Sequence, residues 1–329
     1  MFFSRHHHPA VLAILLAAPL ATLLATGARA QDLSAQAGAL NVSGQNQRSF
    51  AVGVNYAQPV GDYLALSLGY LNEGHPDNHH RDGVSAQVWL RSHITEQGMS
   101  WGVGAGQYFY FDTSRPPAAT GQAYTNDHGW APIYSLQATW HYPSNWYTQV
   151  QLNRVLPRAA DKAATTSLLV GVGYRFDGVR GDKLHLDGPS TDDSITVLAG
   201  QSIVNSFESE RSKAYNIEYR RAVGKYVDWT VSGLNEGTTA GTRRNGVATQ
   251  LWLIRSLTQN LELGMGAGPY LAFVVHDVPG TRSHKAGLVS VASRYHFSKR
   301  VVGELSLNRV VTDYHRDADL LLAGLGFSY

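Results

Sequence analysis

The chain has 329 residues and no cysteine, so whatever holds its fold together is not a disulfide, although export would have permitted one. Of the 27 Lys and Arg, Arg5 and Arg29 fall in a removable leader, leaving 25 against 25 Asp and Glu. That neutral balance excludes the clustered basic excess of a nucleic-acid-binding surface, and no nucleic-acid partner is expected.

Residues 1–30 read as a secretory signal: Arg5 near the start, an apolar run from Ala10 to Leu24, and Ala28-Arg29-Ala30 as the cleavage site. The mature protein is expected to begin at Gln31, and His6, His7 and His8 leave with the signal. After cleavage no apolar stretch reaches the roughly 20 residues of a membrane-spanning helix.

Beyond Gln31 the chain is written twice. Leu71-Asn72-Glu73-Gly74 recurs as Leu234-Asn235-Glu236-Gly237, and Gly83-Val84 with Gln87 and Trp89 recurs as Gly246-Val247 with Gln250 and Trp252. Gly102, Gly104, Ala105 and Gly106 match Gly264, Gly266, Ala267 and Gly268, and Leu152-Asn153-Arg154-Val155 matches Leu307-Asn308-Arg309-Val310. The expected organisation is a first repeat over 31–178, a linker over 179–193 and a second repeat over 194–329.

Period-two alternation marks eight strands per repeat, centred near Gly38, Val54, Leu68, Val88, Ala105, Leu136, Val150 and Val170, then near Ala199, Ile217, Val231, Leu251, Ala267, Val289, Leu305 and Leu322. Turns such as Pro59-Val60-Gly61-Asp62 and Tyr142-Pro143-Ser144-Asn145 are short, whereas His75 to Asp82 and Asp112 to Gly129 are long. Short periplasmic turns, long external loops and many aromatics point to an all-β, transmembrane antiparallel β-barrel in a bacterial outer membrane. In the second strand Phe50, Val52, Val54 and Tyr56 share the lipid face; in the last, Ala323, Leu325, Phe327 and Tyr329 face out. That outward aromatic end resembles the signal read by the barrel assembly machinery, an expected partner along with outer-membrane lipid.

Sixteen strands could close as one wide barrel or two narrow ones. Glycines on inward stripes of the first repeat suit a narrow barrel, but Glu218, Arg220, Asp228, Glu262 and Glu304 all point inward in the second, and packing unpaired charges would cost several kcal/mol each. A water-filled lumen avoids that cost, so a single sixteen-stranded, porin-like barrel is expected. Glu73, Gln87, Asn153, Glu236, Gln250 and Asn308 join those five as polar residues of the lumen or its rim.

Three imidazoles, His75, His79 and His80, lie near Glu73, Arg81 and Asp82, but loop spacing of this kind fits a solvated loop better than a metal site. Glu73 and Glu236 are expected to pair with Arg81 and Arg244 across the hairpin mouths. No metal or other cofactor is expected. Arg154 and Arg309 face outward near the external rim, where a guanidinium could meet lipopolysaccharide phosphates.

The order of features in each repeat resembles the lipid A deacylases: an inward-glycine strand, aromatics with Asp112-Thr113, a long loop, a polar seventh strand and a glycine-rich eighth. The resemblance implies an eight-stranded barrel acting on lipopolysaccharide through a His-x-Ser-Asn motif on the seventh strand. Here that strand carries Asn153-Arg154 and Asn308-Arg309 instead, without base or hydroxyl. His141-Tyr142-Pro143-Ser144-Asn145 and His296-Phe297-Ser298 look similar but precede the seventh strand and read as turns. The functional expectation is a non-enzymatic barrel passing or binding a small solute or saccharide, with a deacylase-like enzyme and a structural or adhesive surface barrel as alternatives.

Overall fold

A computed structural model describes residues 31–76, 79–116, 123–159, 162–176, 193–239, 242–276 and 285–329. The expected leader and all of the expected linker except Asp193 lie outside the described residues. The chain divides into two units, one over each repeat.

The first unit is a barrel of β1 (Gln31–Val42), β2 (Gln47–Pro59), β3 (Leu64–Asn72), β4 (His79–Arg91), β5 (Met99–Ser114), β6 (Thr125–His141), β7 (Trp146–Val155) and β8 (Thr165–Phe176). The second consists of β9 (Ser194–Val204), β10 (Arg211–Gly224), β11 (Val227–Thr239), β12 (Thr242–Ser256), β13 (Leu261–His276), β14 (Lys285–His296), β15 (Val301–Val311) and β16 (Ala318–Ser328). Every expected strand centre falls within its strand. The long loops are shorter than expected, because β4, β5 and β6 run on through residues read as loop.

The closure differs from expectation. β1 pairs with β8, Gly38 opposite Leu169, and β9 pairs with β16, Gly200 opposite Leu322. The protein therefore contains two separate closed eight-stranded barrels, not one of sixteen strands. The physical reason lies in the charges of the second repeat. They are buried but paired: Arg220 meets Glu218 at 2.8 Å, and Arg294 lies 3.4 Å from Glu304 and 3.7 Å from Glu262. The desolvation cost that favoured a wet lumen is offset by these partners, so a narrow barrel can hold them.

Alternation sorts side chains as a small barrel requires. In β2, Ala51, Gly53, Asn55 and Ala57 point inward while Phe50 and Val54 are about half exposed. Val88, Val103, Leu136, Leu168 and Val170 continue the apolar band of the first barrel; Ile217, Leu251, Leu271, Leu305 and Leu325 form that of the second. Trp101, Trp140 and Trp146 ring the short-turn end of the first barrel. With all backbone bonds closed around each wall, such surfaces belong in lipid, and the barrels are those of a bacterial outer membrane.

Candidate functional site

From the external end inward, the two barrels repeat one arrangement. At the first mouth the Glu73 carboxylate accepts from Arg81 Nε, and Thr165 Oγ1 donates to its second oxygen at 2.5 Å. Arg81 Nη1 also donates to the Ala163 carbonyl at 3.2 Å and Nη2 to Thr165 at 3.1 Å. Both Glu73 and Arg81 are buried. In the second mouth Arg244 Nε donates to Glu236 at 2.7 Å, Tyr270 Oη donates to the same oxygen at 2.9 Å, and Arg244 Nη1 reaches the Arg316 carbonyl at 2.8 Å. The two expected mouth pairs are thus in contact.

Beneath each pair lies an apolar belt. Leu40, Leu71, Tyr108, Ile133, Val155 and Leu169 form it in the first barrel, and Leu198, Leu234, Leu288, Val310, Leu320 and Leu322 in the second.

Deeper still the barrels diverge. The first is filled by neutral amides and hydroxyls: Ser135 Oγ sits 2.9 Å from Gln87 Oε1 and 2.7 Å from Asn153 Oδ1, Asn153 Nδ2 donates to Ser167 at 3.2 Å, and Gln36 donates to Gln151 at 3.1 Å. In the second, Gln250 donates to Ser290 at 2.9 Å and Asn308 to Ser306 at 3.0 Å. Below them come the buried charges, with Arg220 3.7 Å from Asp228 and 3.8 Å from Glu304. In both, a buried tryptophan fills lumen space between its neighbouring strands: Trp89 Nε1 donates to Ser67 at 2.8 Å and Trp252 Nε1 to Thr230 at 2.9 Å.

The histidines near the first mouth do not converge on one centre. His79 Nδ1 lies 2.9 Å from Asp112, His80 lies 3.4 Å from Asn72, and the rings of His75 and His80 pack edge to face. No group of three metal-ligating side chains forms among the described residues. Lys162 bridges Asp112 at 2.9 Å and Asp127 at 2.8 Å. Burial alone would lower its pKa, but the two carboxylates outweigh that and hold the ammonium above the usual lysine range.

The periplasmic end of the first barrel holds a Ser–His contact, between His141 Nε2 and Ser100 Oγ at 2.9 Å rather than with Ser144. Its other nitrogen faces Arg175 at 3.3 Å, not a carboxylate; Asp32 is taken by Arg91 and Arg175 at 3.0 and 3.1 Å. A nucleophilic pair needs an acid orienting the base, and the adjoining cavity of about 20 Å³ has room for about one water. His296 instead lies 3.2 Å from Glu262.

Arg154 and Arg309 stand on outward faces but are engaged. Arg154 donates to Ser43 at 2.5 Å and Thr166 at 2.7 Å, and Arg309 forms a two-pronged pair with Asp319 at 2.5 and 2.6 Å. Sequence reasoning missed Arg294, although parity with Ser290 and Ala292 would have turned it inward. It also missed the Asp32–Arg91–Arg175 cluster, whose members are far apart in sequence.

No protein-family model matches the chain, and no curated protein matches it in sequence. Among solved structures it is similar to the N-terminal β-barrel domain of Pseudomonas aeruginosa OprF, at 16% identity with a TM-score of 0.36, over 46% of this chain and 100% of that one. Neisserial surface protein A matches at 11% identity and a TM-score of 0.39, over 46% of this chain and 99% of its own. The attachment invasion locus protein of Yersinia pestis matches at 13% and 0.31, over 45% of this chain and 97% of its own. The resemblance to lipid A deacylases gains no support from these matches.

Proposed function

We propose that the protein is a non-enzymatic, non-conducting pair of outer-membrane barrels whose working surfaces are its lipid-facing walls and external hairpins. The observation that carries this reading is the filling of both lumens: a buried Glu–Arg pair, an apolar belt and a tryptophan lie in series in each. A solute path would have to displace all three, so passage through the polar interior is disfavoured. The seventh-strand positions that a deacylase would use for chemistry hold Asn153 and Asn308, whose amides bond to neighbouring side chains. Externally, β5 and β6 have 16 and 17 residues, or roughly 53 to 56 Å along the strand at about 3.3 Å per residue, a rise of roughly 40 Å at a tilt of about 40° against an apolar band of about 25 Å. That hairpin stands clear of the bilayer, as a structural or adhesive surface protein requires.

The test is conductance of purified full-length protein in planar bilayers. The expected trace stays at the lipid baseline over a range of voltages; discrete, reproducible channel steps would overturn the reading.

A further inference from the structure

One difference between the outer walls of the two repeats is a cluster near the external end of β10 to β12. Three pairs of equivalent positions, each 163 residues apart as in the Leu-Asn-Glu-Gly repeat, have changed together, Phe50 and Lys213, Tyr70 and Gly233, and His80 and Arg243, while Arg48 is retained as Arg211. The equivalence is structural as well. Gly74 is packed against Ser49 and Phe50, and Gly237 against Ser212 and Lys213.

In the second barrel Lys213 on β10 and Arg243 on β12 flank β11 near its external end. The Gly237 backbone lies beside Lys213, and the next residue, Thr238, pairs with Arg243. Two strand spacings put the two cations about 10 Å apart, with Arg211 farther out on the same face of β10. All three are exposed, and none has an ion-pair partner among the described residues. Glu208 and Glu210 sit outward of Arg211 on the loop before β10.

The next rung down the outer face holds Tyr215, Asn235 and Asn245, and below it the wall is apolar and grooved. Gly233 faces lipid with open space where a Cβ would stand, and its partners on either side are Ile217 and Val247, 59% and 45% exposed. In the first barrel the same position is Tyr70, which fills the space between Val54 and Val84 and donates its hydroxyl to Asp82 at 2.7 Å. Where the second barrel has Lys213 and Arg243, the first has Phe50 and His80, both packed around His75. The first repeat thus keeps Arg48 but lacks the Lys213 and Arg243 cations and the groove, while the second has all of them.

We propose that this face of the second barrel is a binding site for a phosphorylated lipid of the outer leaflet, with Lys213, Arg243 and Arg211 holding its phosphates and the Gly233 groove taking an acyl chain. A soluble phosphate would use the cations and leave the groove idle; an amphiphile with an anionic head uses both. Lipid A has that chemistry. The inference rests on the membrane placement of the barrels but not on whether they conduct.

The experiment uses full-length protein in detergent, with diphosphoryl lipid A, its dephosphorylated form and inorganic phosphate as probes. Wild type is expected to bind the diphosphoryl form about tenfold more tightly than the dephosphorylated one, with inorganic phosphate failing to displace it. Lys213→Phe with Arg243→His, the residues of the first repeat, should remove that preference, and Gly233→Tyr should weaken both lipid forms. Heat-modifiable gel mobility reports folding; should the double variant misfold, Lys213→Gln with Arg243→Gln tests the same contacts. Unchanged phosphate preference in a folded variant, or displacement by inorganic phosphate alone, would overturn the proposal. Channel steps in bilayers would sink the non-conducting reading and leave this one standing.

Discussion

Arg220 lies over Trp252, its guanidinium carbon 4.3 Å from the ring centroid, and the same ring is packed on Gly264 and Gly266. The contact joins the two halves of the second lumen's filling, because Arg220 also reaches Glu218, Asp228 and Glu304. A cation over an indole in a dry site contributes about 2 kcal/mol beyond its ion pairs. Removing Arg220 would take one cation away from three buried carboxylates, of which Glu304 keeps Arg294. Arg220→Ala should therefore destabilise the second barrel by about 3–5 kcal/mol, read as a lower urea midpoint by tryptophan fluorescence. Adding Glu218→Gln and Glu304→Gln should recover part of the loss. A midpoint unchanged by Arg220→Ala would mean that water reaches the cluster.

The mouth pairs invite a second test. Arg81→Ala leaves Glu73 buried with only Thr165 as donor, and Arg244→Ala leaves Glu236 with Tyr270, so each should lower stability by a few kcal/mol. Neither should open a pore, because the belts of Leu71 and Ile133 or of Leu234 and Leu320 lie beneath. Single-channel recording on both variants checks this. Steps that arise only in the variants would make the salt bridge the whole barrier and the belts incidental.

Lys162 ties the β7–β8 loop to β5 and β6 through Asp112 and Asp127. Its pKa is raised, so its contribution is complete below the unfolded value near 10.5 and is lost only as pH rises through the still higher folded one. Protease resistance of this hairpin should then be flat from pH 7 to pH 9. Lys162→Met should lower it at both pH values, leaving Asp112 with His79 alone. A steep fall in the wild type over that interval would contradict the assigned charge state.

How much of this was legible in the sequence follows from which forces act locally. Alternation in Phe50 to Tyr56 fixed strand and facing together, because a slip of one residue would turn every apolar side chain inward. The pairing of Glu73 with Arg81 was readable because a hairpin brings residues eight apart to the same rung. Closure was not. It depends on whether Ala37 meets Val170, a contact across more than a hundred residues. It was misjudged because Glu218, Asp228, Glu262 and Glu304 were weighed against Arg220 without Arg294, and because pairing strengths across a lumen cannot be read from one strand. The outer-wall difference at Tyr70 and Gly233 was visible in the repeat, but its meaning needed the register that sets Ile217 and Val247 on either side.

Glycines on the adjacent strands make room for the lumen tryptophans. A methyl group on Gly104 would stand 2.8 Å from the Trp89 ring, and one on Gly266 would stand closer still to Trp252. Neither ring can retreat, since Trp89 is held by Ser67 and Trp252 by Thr230 and Arg220. Gly104→Ala and Gly266→Ala should each cost about 1–3 kcal/mol by overpacking. Trp89→Leu and Trp252→Leu should each cost more, about 3–5 kcal/mol, by leaving a cavity in which a hydroxyl has lost its donor. Combining Gly266→Ala with Trp252→Leu should then be less damaging than the two losses added together, because the new methyl enters space the indole has vacated. Urea unfolding of the four proteins of this cycle gives the coupling energy directly. A coupling of zero would mean that the glycine is required by the backbone of the wall, as at Gly268 where a Cβ would strike the Thr249 carbonyl, and not by the ring on the adjacent strand.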